Sequence, residues 1–111
     1  MIDENQILDA VGKIFGVTPK GLKSKIRTQR VALARQVVMY LLRNENRMST
    51  IEIGEFLNRD HSTVIHGSRM IAARIAKDTA FAMTIAELTG YVRVHVIPWE
   101  QRGIDEQGCM A

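Results

Sequence analysis

The 111-residue chain is 46% hydrophobic, enough for one compact domain and too little for two ordinary ones. Its single cysteine, Cys109, excludes an intrachain disulfide and a cysteine metal cluster; no apolar run approaches the roughly 18 to 20 residues of a membrane span, and the acidic start Met1, Ile2, Asp3, Glu4 is unlike a signal peptide, so a soluble, cytoplasmic chain is expected. The net charge of +3 hides an asymmetry: residues 1–77 carry 13 Lys and Arg against 7 Asp and Glu, and residues 78–111 carry 2 against 5.

Residues 3–15 place Ile7, Leu8, Val11, Ile14 and Phe15 at spacings of three and four, one apolar stripe at helical period, with Gly16 as a natural stop. Residues 17–24 are rich in turn formers and Pro19 disfavours helix at Thr18, which predicts a basic loop as far as about Thr28. A central helix over residues 29–44 then buries Val31, Ala34, Val38, Leu41 and Leu42 and leaves Arg35, Gln36 and Arg43 facing outward. From residue 10 to residue 44 there is no acidic side chain, whereas Lys13, Lys20, Lys23, Lys25, Arg27, Arg30, Arg35 and Arg43 all fall inside. Such a stretch sets up a positive field that suits a polyanion. Taken alone, a solvated basic loop accounts for it equally well.

Ser49, Thr50, Ile51 and Glu52 have the form Ser-x-x-Glu of a capping box, which opens a short helix over residues 50–57 carrying Ile53, Phe56 and Leu57. Gly54 inside it costs about 1 kcal/mol relative to Ala, which implies that another backbone passes close. After a two-residue break at Asn58 and Arg59, Asp60 caps a second helix over residues 61–77, with Val64, Ser68, Ile71 and Ile75 toward the core. Short helix, break and second helix are the outline of a helix-turn-helix. A fifth helix over residues 79–91 runs through Phe81, Ile85 and Leu88, and residues 92–97 alternate like a short strand that Pro98 ends. The last dozen residues lack periodicity and are expected to be mobile. The expected division is a helix-turn-helix domain at 1–91 and an extension at 92–111.

A helix lying in the major groove reads bases through side chains near its N-terminus, and Asp60, His61, Ser62 and Thr63 occupy that turn. Asp accepts from cytosine N4, hydroxyls donate or accept, and a Thr methyl touches the thymine methyl. From the residues alone, Asp60 as a plain N-cap followed by ordinary first-turn residues remains the alternative. His61 and His66 lie about 140° apart on a helix, which argues against a shared metal, and His66 is expected as a partly buried structural residue. No carboxylate pair, Cys-His or Ser-His constellation appears at catalytic spacing, so neither an enzyme nor a cofactor is expected.

The run Arg59, Asp60, His61, Ser62, Thr63, Val64, Ile65, His66 resembles the signature Arg-Asp-His-(Thr/Ser)-Thr-Val-x-His of the C-terminal DNA-binding domain of the DnaA replication initiators. The resemblance extends in family order through Glu52, Ile53 and Gly54, through Arg35 and Gln36, and through Ser24, Lys25, Ile26 and Arg27, covering roughly residues 2–90. It implies an all-α, Trp-repressor-like bundle of about five helices with a short irregular or strand-like C-terminal tail. It also implies sequence-specific binding to double-stranded DNA at sites like the DnaA box, TTATNCACA, in replication initiation or its regulation or in transcriptional regulation, in a bacterial or phage setting at the nucleoid. Base readout falls to Asp60, His61 and Ser62 and the minor groove to Arg27. Phosphate falls to Lys23, Lys25, Arg30, Arg35, Gln36, Arg43, Thr63 and Arg69.

Ser62 stands where the family more commonly has Thr, Gln29 where many members have a second Arg, and Leu57 and Asn58 where many have Gly-Gly. No Gly-rich phosphate loop ending in Lys and Ser or Thr is present, so binding without an ATPase or a nucleotide cofactor is expected. The competing expectation is an interaction module: Val94, Val96, Ile97 and Trp99 would recruit a protein partner or a second copy through a strand edge.

Overall fold

Helix α1 (Glu4–Phe15) buries Ile7, Leu8 and Val11 of the predicted stripe and Ala10 beside them, while Ile14, expected on the stripe, is exposed. The computed structural model describes residues 4–95. The chain leaves α1 through Gly16 at a φ of 70° and folds back so tightly that the Val17 N–H donates to the Gly12 carbonyl at 2.9 Å. A Cβ at Gly12 would lie 2.3 Å from the Val17 carbonyl oxygen, so only glycine fits there.

The predicted loop contains a sixth, short helix, α2 (Pro19–Lys23). Pro19 acts as a helix starter because Thr18, held extended, is its N-cap, and the Thr18 hydroxyl accepts from the Gly21 N–H at 3.0 Å. The proline signal therefore marked a boundary and not the absence of helix. Leu22 anchors this turn in the core with no exposed surface.

Helix α3 (Gln29–Asn44) is the central support, with Ala34, Val37, Val38, Leu41 and Leu42 fully buried and Met39 nearly so. Helix α4 (Thr50–Leu57) opens on the predicted capping box: the Ser49 hydroxyl accepts from the Glu52 N–H at 3.1 Å and the Ser49 N–H donates to the Glu52 carboxylate at 2.8 Å. It ends at Asn58, whose left-handed backbone (φ 58°, ψ 50°) suits the Asn found in place of glycine. The Arg59 N–H then donates to the Gly54 carbonyl at 2.7 Å, the close backbone approach that a glycine inside α4 implied.

Helix α5 (His61–Lys77) crosses α3 at Gly67, where a Cβ would sit 2.6 Å from the Met39 sulfur. Val64 and Ile71 are buried on its core face and Ile75 is half-buried, as expected, while the buried Ser68 hydroxyl has no hydrogen-bond partner among the described residues. Helix α6 (Thr79–His95) starts where the Asp78 carboxylate accepts from the Phe81 N–H at 3.0 Å. It packs Phe81, Ile85, Leu88 and Val92 back onto the bundle. Val92 continues the helical spacing of its predecessors, so residues 92–95 are helical and not the start of a strand. A short β-branched alternation is a weak signal against a helix already under way. The expected mobile tail lies outside the described residues.

All six described elements are α-helices, among them a helix-turn-helix formed by α4 and α5. None is long and apolar enough to cross a membrane. Two glycine substitutions separate a structural glycine from an incidental one. Gly54→Ala would bring a Cβ to 2.5 Å from the Arg59 carbonyl oxygen, and urea melts should read a loss of about 1–3 kcal/mol. Gly90→Ala, where nothing among the described residues lies within 4 Å, should instead stabilise by up to about 1 kcal/mol.

Candidate nucleic-acid interface

The first turn of α5 is held by its own cap. Asp60 Oδ2 accepts from the Ser62 N–H at 3.1 Å and also from the Ser62 hydroxyl, while Oδ1, among the described residues, faces the His61 Nδ1 at 3.9 Å. These bonds, the hydroxyl first and the backbone N–H second, hold the Asp60 carboxyl below the ordinary carboxylate range. The group is therefore ionised near neutral pH and accepts only. The Ser62 hydroxyl donates its proton to Asp60, and its lone pairs, on an exposed residue, are left to accept. Asp60, His61, Ser62 and Thr63 are all exposed on one end of α5, beside an open hollow lined by Ile51, Gly54, Glu55, Asn58 and Arg59.

The basic segment between α2 and α3 is joined to the residue just before this cap, Arg59, through the Ser24 carbonyl. Lys25, Arg27 and Arg30 are exposed, and among the described residues no ion pair neutralises Lys20, Lys23, Lys25, Arg27 or Arg30. Lys23 lies over the Phe56 ring with its ammonium 4.2 Å from the centroid, linking α2 to α4. Arg30 turns toward the α1–α2 bend, where its guanidinium passes 3.7 Å from where a Gly16 Cβ would be. Arg43, Thr63 and Arg69 are exposed, while Gln36 is half-buried at the α3–α5 crossing.

Arg35 is placed differently from the outward orientation expected of it. Only 6% exposed, it donates from Nε to the Leu22 carbonyl at 2.8 Å, and from Nη2 to the Ser24 carbonyl at 2.9 Å and the Ile26 carbonyl at 3.0 Å. Burial, and secondarily the nearby charge of Arg59, lowers its pKa from the usual arginine value. Nothing in the α3 pattern marked Arg35 as buried, because its partners are backbone carbonyls of a loop whose path the sequence does not reveal. His66, expected as partly buried, is exposed on α5. Arg59, to which sequence reasoning assigned no role, reaches across to the same Ser24 carbonyl.

Residues 5–71 match the family model described as the bacterial dnaA protein helix-turn-helix. The chain is similar to the chromosomal replication initiator protein DnaA of Streptococcus agalactiae serotype Ia, with 44% identity over 93 residues, 83% of this chain and 20% of that protein. Its similarity to the DnaA proteins of Streptococcus mutans serotype c and Streptococcus pyogenes serotype M4 is 40% and 39% over 94 residues, 84% of this chain and 21% of each. The chain thus spans about a fifth of the length of these curated relatives.

The cap and the buried guanidinium each generate a measurement. Because the folded Asp60 carboxyl titrates below its unfolded value, its contribution is present above the ordinary carboxylate range and is lost as pH falls through the lowered value. The stability gap between the native chain and Asp60→Ala should therefore be full at neutral pH and close in acid, as read by urea melts across pH. Arg35→Met should cost about 1.5–3 kcal/mol, the scale of a hydrogen bond made by a charged group, and should speed amide exchange in residues 21–26 before it does so in α5.

Proposed function

The chain belongs to the bacterial DnaA helix-turn-helix family, and on that premise we propose that it binds double-stranded DNA sequence-specifically at DnaA-box-like sites, as part of replication initiation, of its regulation, or of transcriptional control. The observation that carries this reading is the exposed first turn of α5, residues 60–63, joined through Arg59 to a cationic loop with no acidic neighbour in sequence. In it, α5 enters the major groove. The free Asp60 Oδ1 and the lone pairs of Ser62 accept from the exocyclic amino groups of cytosine or adenine, and His61 completes the base contacts.

Arg27, exposed and without a bonded partner among the described residues, suits the narrow minor groove of an A·T-rich segment, whose enhanced negative potential attracts a guanidinium. Lys23, Lys25, Arg30, Gln36, Arg43, Thr63 and Arg69 are assigned to the flanking phosphates. Arg35 is assigned to shaping the loop that carries Arg27. Such contacts release counterions, so the affinity is salt-dependent. The activity needs no catalysis and no nucleotide, and its place is the nucleoid.

The test is fluorescence anisotropy with a labelled duplex carrying the box or its scramble, at two salt concentrations. The box should be preferred by more than about tenfold, and equal binding to both would sink the reading. Asp60→Ala and Ser62→Ala should each relax base preference by about 1–3 kcal/mol per disrupted contact. Arg27→Ala should weaken binding with particular loss at A·T pairs.

A further inference from the structure

Two segments far apart in sequence, the loop at 24–27 and the turn at 58–60, are joined by one side chain. The Arg59 Nη2 donates to the Ser24 carbonyl across 35 residues of chain, and Nη1 of the same guanidinium donates to the Asn58 carbonyl at 3.0 Å. The Arg59 backbone N–H is fixed in turn on the Gly54 carbonyl at 2.7 Å, so the residue is held at both ends. Ser24 O accepts from Arg35 Nη2 as well, using both lone pairs of one carbonyl for two guanidiniums. The Lys23 ammonium over the Phe56 ring joins the two helices that lead into these segments, the end of α2 and the last turn of α4.

We propose that Arg59 is a positioning residue that sets the loop carrying Arg27 in register with the first turn of α5, so that minor-groove and major-groove reading are coupled. This rests on the DNA-binding reading above. The fork of a guanidinium is what the geometry requires, since its two Nη atoms bond the carbonyl of its own turn and that of the distant loop at once, whereas the three donors of an ammonium all sit on one nitrogen. The link also brings two like charges together, with no carboxylate paired to either among the described residues, and the Arg59 charge contributes to the lowered Arg35 pKa. A phosphate backbone passing the junction relieves that repulsion, so the clamp tightens when DNA is bound.

The experiment uses the full chain with Arg59→Lys and Arg59→Met, each alone and with Arg27→Ala. Without DNA, amide exchange at Ile26, whose N–H donates to the Ser24 hydroxyl at 3.2 Å, should accelerate by about tenfold in both Arg59 variants while α3 and α5 amides hold. With DNA, the native chain should lose about tenfold in affinity when the A·T end of the box becomes G·C, and that penalty should fall below about threefold in both variants. Preference at the positions read by residues 60–62 should persist. Adding Arg27→Ala should then cost the Arg59 variants little, whereas it weakens the native chain.

Unchanged Ile26 exchange overturns the clamp whether or not DNA binds. Full A·T discrimination in Arg59→Lys overturns the role of the fork in favour of charge alone. Additive effects of Arg59 and Arg27 substitutions, or equal loss of discrimination at both ends of the box, overturn the coupling. If the native chain binds neither duplex, the DNA-binding reading falls and the coupling with it, while the exchange result still judges the clamp.

Discussion

A guanidinium taken out of water must have its donors met, and among the described residues no carboxylate pairs with Arg35. The carbonyls of Leu22, Ser24 and Ile26 do so instead, which obliges residues 22–26 to curve around the charge with their oxygens turned inward. That curvature brings the Ser24 carbonyl within reach of Arg59, in the turn before α5. It also leaves the loop side chains outside, which is why Lys25 and Arg27 are exposed while the backbone that bears them is pinned. A loop of this composition would otherwise be repelled by itself and free to wander.

The other half of the candidate interface depends on a backbone contact. Gly54 allows the chain after α4 to return within bonding distance of the helix, and Asn58 takes the left-handed conformation that makes the return possible. The turn delivers Asp60 in an extended conformation to cap α5. Capping then fixes the electrostatics of the first turn: one carboxylate oxygen is committed to Ser62 and the other is left open. Stability and presentation thus use the same residue. Gly67 sets how closely α5 lies on α3, and so ties the depth of this turn to the same central helix that buries Arg35.

Local signals in the sequence carried most of this architecture. The Ser49 and Glu52 capping box, the close approach implied by Gly54, the tolerance of Asn58 for a left-handed turn and the cap at Asp60 each involve residues within a few positions of one another, and each is found in place. The departures arise where the deciding partner is distant or the pattern is short. Pro19 opens α2 because Thr18 caps it and Leu22 finds the core, and Val92 joins α6 because its predecessors are already packed. Arg35 and Arg59 meet at Ser24 from α3 and from the turn, and no spacing rule links three such positions. The candidate site was legible in its residue types and illegible in the arginines that organise it.

Residue-resolved NMR of the full chain during titration with a box-containing duplex tests the central claim most directly. The account predicts that amide shifts concentrate in residues 23–28 and 60–63 and spare α6. Perturbation centred on α6, with those two segments unchanged, would contradict it.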